Sequence, residues 1–204
     1  MEKLQYISQG TTRQTQETNI KTALDYGAKW IQIRWKGAPA RDLSALCEFT
    51  RRLTQEYQSL CLINDHVHLA KEVDADGVHL GLIDGSVIEA RKVLGTSKII
   101  GGTANTLIEV RQRREESCDY IGLGPLRFTN TKEKLSPVLG FEGFQYIIEE
   151  LKNDRLPLPK IYAIGGITLS DLPALQQAGI FGVAVSGLIT QQPMLINQIK
   201  VILK

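Results

Sequence analysis

The sequence predicts a (β/α)8 TIM barrel, one domain over residues 1–204. Three observations predict it. Short β-branched runs bounded by Gly, Asn or Asp alternate with longer amphipathic runs, eight times over. No linker-like or low-complexity stretch interrupts that alternation, which implies a parallel sheet. The polar and glycine-rich residues collect just after the short runs, where this fold keeps its chemistry. At 204 residues the chain is shorter than the typical ~250, so no large inserted domain fits. A doubly wound open sheet competes, but the turn after the first strand lacks G-x-G-x-x-G.

The elements follow in order. Leu4–Ile7 is a short apolar run, and Gln16–Tyr26 carries the first helical pattern. Trp30–Arg34 precedes a helix over Arg41–Tyr57, in which Leu43, Leu46, Cys47, Thr50 and Leu53 recur at three and four. Leu60–Asn64 leads into His66–Val73, and Gly77–Leu80 into Ser86–Leu94. Ile99–Thr103 leads into Leu107–Ser117. Tyr120–Leu123 runs into a longer loop before Phe141–Leu151. Lys160–Ile164 precedes Leu169–Ala178, and Gly182–Val185 precedes Met194–Leu203.

Composition excludes several classes. The 24 basic residues nearly balance 22 acidic ones, and there is no basic tail, so nucleic acid is not an expected partner. Arg111, Arg113 and Arg114 are diluted by Glu115 and Glu116 and read as a solvated helix face. Cys47, Cys61 and Cys118 form no C-x-x-C pair. Without a signal-type N-terminus they read as reduced thiols of a cytoplasmic protein. No apolar run approaches the ~20 residues of a membrane span. The oligomeric state is open, a homo-oligomer included.

The candidate residues lie on the rim that the strand ends would form. Gln32, Arg34 and Lys36 are spaced by two and share one face of an extended chain; Ile31, Ile33 and Trp35 face the helices. The third strand ends in Asn64-Asp65, and Asp84 follows the fourth. Two carboxylates from neighbouring strands suit Mg²⁺, a hard cation that takes oxygen ligands and keeps waters. Each could equally cap the helix that follows it. The fifth strand ends in Thr103, and the loop after the sixth carries Thr129, Asn130, Thr131 and Lys132. Gly165-Gly166 and Val185-Ser186-Gly187 end the last two strands, where barrels often bind phosphate. His66 and His68 stand two apart and make poor co-ligands on a helix, and His79 lies in the fourth strand, so zinc is disfavoured.

These motifs together resemble the thiamine-phosphate synthase family. The resemblance rests on Gln32-Ile33-Arg34-Trp35-Lys36, Asn64-Asp65, Asp76-Gly77-Val78-His79-Leu80-Gly81 with Asp84, Tyr120 to Pro125 with Thr129 to Lys132, Ala163 to Ile167, and Val185-Ser186. It implies a transferase that joins a hydroxymethylpyrimidine diphosphate to a thiazole phosphate, releasing pyrophosphate with Mg²⁺ as cofactor. By the same resemblance, Asp65 and Asp84 are the metal ligands. Gln32, Ile33, Arg34, Trp35, Lys36, Asn64, Thr103 and Lys132 would hold the pyrimidine diphosphate. Arg34, Lys36 and Lys132 would also stabilise charge on the leaving group. Thr129, Asn130, Thr131, Gly166, Val185 and Ser186 would hold the thiazole phosphate.

The chain departs from that family's usual pattern at Trp35, His66, Leu82, Thr103, Asn105 and Phe128. A sister family of aromatising tautomerases resembles it too, but uses a His near the position of Asn105. Another phosphate-binding barrel isomerase is a further alternative, and so is a non-catalytic sensor of thiamine phosphate, which would have no need of two metal-binding carboxylates.

Overall fold

The protein is described by a computed structural model covering residues 1–128 and 137–204. Eight parallel strands close in sequential order into a barrel. They are β1 Leu4–Ile7, β2 Trp30–Ile33, β3 Leu60–Asn64, β4 Gly77–Leu80, β5 Ile99–Ala104, β6 Tyr120–Leu123, β7 Ile161–Ile164 and β8 Gly182–Val185. Closure is made by β1 on β8, with Leu4 opposite Val183 and Tyr6 opposite Val185. The surrounding helices among the described residues are α1 Arg13–Asp25, α2 Ala40–Glu56, α3 Val67–Glu72, α4 Val87–Leu94, α5 Leu107–Glu115, α6 Gly140–Asn153, α7 Leu172–Ala178, α8 Gly187–Gln191 and α9 Leu195–Ile202. A 3-10 turn over Leu169–Asp171 opens the α7 segment. The sequence anticipates a single last helix; the structure has two, with α8 starting directly after Ser186.

The strands are short, mostly four residues. At ~3.3 Å per residue such a strand spans about 13 Å. That leaves room for one packed layer inside the barrel, a polar layer above it and the rim. The packed layer is Trp30, Leu62, Tyr120 and Tyr162, all fully buried. Trp30 meets Tyr120 and Tyr162 edge-on, with ring centroids 4.9 and 5.1 Å apart. Such rings fit because the neighbouring strand offers glycine: a Cβ on Gly101 would overlap the Tyr120 ring. Outward-facing residues such as Tyr6, Ile31, Ile33, Cys61, Ile63 and Val78 pack beneath the helices in a second, larger core.

The end of the barrel away from the candidate residues is tied by a repeated device. Asp76 accepts from the Cys61 amide at 2.8 Å and from Arg51 Nη1 at 3.1 Å. Asp119, one strand pair later, accepts from the Ile100 amide and from Arg91 Nη2, both at 2.7 Å. Such contacts hold the strand starts and leave the other rim for chemistry.

Candidate active site

The polar layer inside the barrel supports the rim from below. Gln5, Gln32, His79 and Thr103 are all buried. Tyr120 Oη accepts from Gln5 Nε2 at 3.0 Å and lies 2.9 Å from His79 Nδ1; His79 Nε2 lies 3.0 Å from Thr103 Oγ1. Gln32 Nε2 donates to Gln5 Oε1 at 3.4 Å. His79 therefore points into the barrel and belongs to a chain of side-chain contacts that ends on the Thr103 hydroxyl. Burial raises the Tyr120 phenol above its ordinary value, so the hydroxyl stays neutral.

Above this layer, Lys36 reaches across from the end of β2 and pairs with both carboxylates. Its Nζ donates to Asp65 Oδ2 and lies 3.6 Å from Asp84 Oδ1. Asp65 follows β3 with φ at +66°, a left-handed conformation that turns its side chain toward Asp84. Burial raises the Asp65 carboxyl above 3.8; Lys36 lowers it and the Asp84 carboxylate raises it again. Among the described residues, Asp65 Oδ1 is buried with no hydrogen-bond partner. Neither aspartate caps a helix: α3 begins after His66, and α4 is capped by Ser86 Oγ, which accepts from the Glu89 amide at 3.4 Å. Asp84 folds back over Gly81, where a Cβ would overlap its carboxylate.

The donor set fits Mg²⁺. It consists of two hard carboxylates, one with an oxygen lacking a partner among the described residues, already gathered around a cation in the form of the Lys36 ammonium. Among the described residues no group of three or more His, Cys, Asp or Glu side chains gathers. Water and substrate oxygens would fill the remaining coordination, as Mg²⁺ favours.

On the other flank, a cavity of about 380 Å³ opens at the ends of β1, β2 and β8, lined by Ser8, Gln9, Thr11, Arg34, Lys36 and Ser186 among others. Ser8 Oγ accepts from the Arg34 amide at 3.0 Å and fixes where Arg34 leaves the strand. Between β6 and β7 the loops are zipped together. The Leu126 amide donates to Ile164 O at 2.9 Å and the Arg127 amide to Gly165 O at 3.0 Å. Arg127 also donates to both Asp171 oxygens, at 2.5 and 2.7 Å, and to Gly166 O at 3.1 Å. Burial raises the Asp171 carboxyl, but bonds from Arg127 and Thr168 outweigh it and hold the group below its ordinary value. Gly165 and Gly166 have φ of +84° and +67°, and a Cβ on either would strike Pro125 or Arg127. This turn needs both glycines.

A closed eight-stranded barrel with paired carboxylates, cations and a glycine turn on one rim is the setting in which sequence similarity becomes decisive. The thiamine monophosphate synthase family matches residues 4–189. The chain belongs to that family. It is 56% identical over 189 residues to the thiamine-phosphate synthase of Flavobacterium psychrophilum, covering 93% of this chain and 91% of that one. It is 46% identical over 189 residues to the thiamine-phosphate synthase of Bacteroides thetaiotaomicron, covering 93% and 90%. Among solved structures, thiamine phosphate pyrophosphorylase from Pyrococcus furiosus superposes with a TM-score of 0.81 at 29% identity, covering 99% of this chain and 97% of that one.

Within this synthase fold the expected residues sort into groups. Gln32, Arg34, Lys36, Asn64, Asp65, Asp84, Thr103, Gly166, Val185 and Ser186 lie at or just after the same ends of their strands. Ile33 is placed differently: its side chain is 1% exposed and packed beneath the helices, so only its backbone faces the rim. Trp35 packs partly against that core and also lines the cavity. Thr129, Asn130, Thr131 and Lys132 lie outside the described residues. Asn105 donates from Nδ2 to Gly124 O and so ties the end of β5 to that of β6.

A further expectation is overturned. Arg113 is not part of a solvated face: it is 3% exposed and bonded to the ends of β4 and β5. Arg111 and Arg114 are also engaged, both with Asp154. Ser8 and Gln9 were missing from the expected set. The signal was present, since Ser8-Gln9-Gly10 is a polar, glycine-ended run after a strand, like the others on this rim.

Proposed function

We propose that this rim performs the family's condensation with the following division of roles. The chain is a transferase of thiamine biosynthesis: it joins a hydroxymethylpyrimidine diphosphate to a thiazole phosphate and releases pyrophosphate. The observation that carries the roles is the Lys36–Asp65–Asp84 cluster, with an Asp65 oxygen that has no partner among the described residues. Asp65 and Asp84 hold Mg²⁺. When bound, the ion supplies positive charge to the diphosphate oxygens.

Lys36 and Arg34 approach the same oxygens from β2, and Lys132 completes the set. Such fixed cations stabilise charge as it develops on the leaving group. Gln32 and Asn64 line the pyrimidine side. Thr103 presents its hydroxyl there, aligned by His79. The backbone of the Gly165-Gly166 turn and of Val185-Ser186 receives the thiazole phosphate, together with Thr129, Asn130 and Thr131. The bond to the diphosphate breaks before the thiazole nitrogen attacks. That nitrogen has no proton to lose, so no general base is required.

The test mixes both substrates with Mg²⁺ and follows pyrophosphate and thiamine phosphate. Wild type forms both in equal amounts. Asp65→Ala and Asp84→Ala each lose turnover by at least ~100-fold with the fold intact, a loss in the range seen when groups acting on developing charge are removed. Ser186→Ala raises the apparent KM for the thiazole phosphate alone. Normal activity in both aspartate variants would remove the metal assignment. A selective loss of pyrimidine binding in Ser186→Ala would exchange the two subsites.

A further inference from the structure

We propose that Arg113 is a positioning residue for the diphosphate half of the site, fixing Asp84 and Thr103 together through the backbone beside them. This rests on the reading of Asp65 and Asp84 given above. Arg113 stands on α5, outside the barrel, and its side chain passes inward over Gly102. A Cβ on Gly102 would come within 2.7 Å of Arg113 Cδ and 2.9 Å of Nε, so the glycine makes the passage. At its end the guanidinium divides. Nε donates to Thr103 O at 3.1 Å, Nη2 to Gly81 O at 3.0 Å, and Nη1 to Glu116 Oε2 at 2.7 Å.

The two carbonyls matter because of where they lie. Pairing of β4 with β5 ends at Leu80 opposite Gly102. Gly81 and Thr103 are the next residues on each strand, just past the last paired position. Arg113 joins them there, so the two strand ends stay in register up to the rim. Gly81 is the residue against which the Asp84 carboxylate rests, and Thr103 carries the hydroxyl set by His79. One buried fork thus controls a metal-binding carboxylate and a pyrimidine contact without touching either substrate. A planar guanidinium can serve two carbonyls and a carboxylate at once; an ammonium cannot hold that geometry. Groups that orient metal ligands from behind typically change metal affinity by about 10–100-fold when removed.

The test uses Arg113→Lys, which keeps the charge and the reach toward Glu116 but loses the fork. Mn²⁺ binding is measured by electron paramagnetic resonance in the presence of pyrophosphate, and KM is measured for each substrate. Affinity for Mn²⁺ falls about tenfold, KM for the pyrimidine diphosphate rises, and KM for the thiazole phosphate is unchanged. Gly102→Ala, whose Cβ would crowd Arg113 Cδ at 2.7 Å and Cys118 Sγ at 2.8 Å, displaces the arginine without deleting it, gives the same selective pattern and serves if the lysine variant does not fold. Wild-type Mn²⁺ affinity in the variants, or equal rises in both KM values together with a lower melting temperature, overturns the inference and leaves a purely structural arginine. Asp84→Ala is the control. If it keeps wild-type Mn²⁺ affinity, the site reading itself fails and this inference falls with it; if it loses Mn²⁺ while the Arg113 variant does not, only the inference fails.

Discussion

Asp65→Asn tests whether the carboxylate proposed to hold Mg²⁺ costs the free protein stability. Asp65 has one oxygen buried with no partner among the described residues and a second carboxylate beside it. An unsatisfied buried polar group costs ~1–3 kcal/mol, more when it is charged. The Lys36 pair offsets part of this, but Lys36 is 53% exposed. Pairs that open to water contribute only ~0–1 kcal/mol. Removing the charge should therefore stabilise the metal-free protein by about 1 kcal/mol, or ~2–4 °C in melting temperature for a chain of this size. With Mg²⁺ and pyrophosphate the order reverses. A ligand at a hundred times its dissociation constant adds ~2.7 kcal/mol to a protein that binds it, and the Asn variant gains little of this.

The pH dependence has a fixed sign. The folded-state carboxyl is raised above 3.8, so between 3.8 and the folded value the native state holds more protons than the unfolded chain. Stability then falls as pH rises through that window. The advantage of Asn is largest above it and disappears as pH drops toward 3.8. Melting curves in EDTA, and with Mg²⁺ and pyrophosphate, at several pH values decide the matter. A variant that melts more than ~2 °C below wild type in EDTA at neutral pH would refute the reasoning, because the Lys36 contact would then outweigh the desolvated charge.

Three further outcomes follow from single contacts. Gly81→Ala adds a Cβ that meets only the end of the Asp84 side chain, so the melting temperature stays within ~2 °C while the Mg²⁺ concentration for half-maximal activity rises about tenfold. Tyr120→Phe removes the hydroxyl shared by Gln5 and His79 at the centre of the barrel; denaturant titration should show a loss of ~1–3 kcal/mol with an unchanged slope. Burial pushes the Cys61 and Cys118 thiols up to about 12, and raises Cys47 as well. An aromatic disulfide reagent at pH 8 should therefore react with none of the three rapidly until denaturant is added, and an early equivalent in the native protein would contradict the packing described.

Much of this molecule was legible along the chain. The bounds of Leu4–Ile7, Leu60–Asn64, Gly77–Leu80, Tyr120–Leu123 and Gly182–Val185 agree with the sequence reading residue for residue, because β-branched runs stopped by glycine, asparagine or aspartate are local signals. The rim was legible too. Once eight parallel strands close, their C-terminal ends must share one face, so the residues just beyond them become neighbours without any knowledge of side-chain packing.

Individual side-chain contacts between neighbouring strand ends were decided only by the folded structure. Lys36 bridging Asp65 and Asp84, Ser8 holding the Arg34 amide, and Asn105 holding Gly124 O join residues with no sequence signal linking them. Arg113 shows the reason most clearly. In the sequence it is one of three arginines on a charged helix, and nothing sets it apart from Arg111 or Arg114. What separates it is the glycine at 102, two carbonyls left over at the strand ends, and a glutamate one turn on. A buried cation is tolerable only where such partners converge, and their convergence is a property of how α5 lies against two strands.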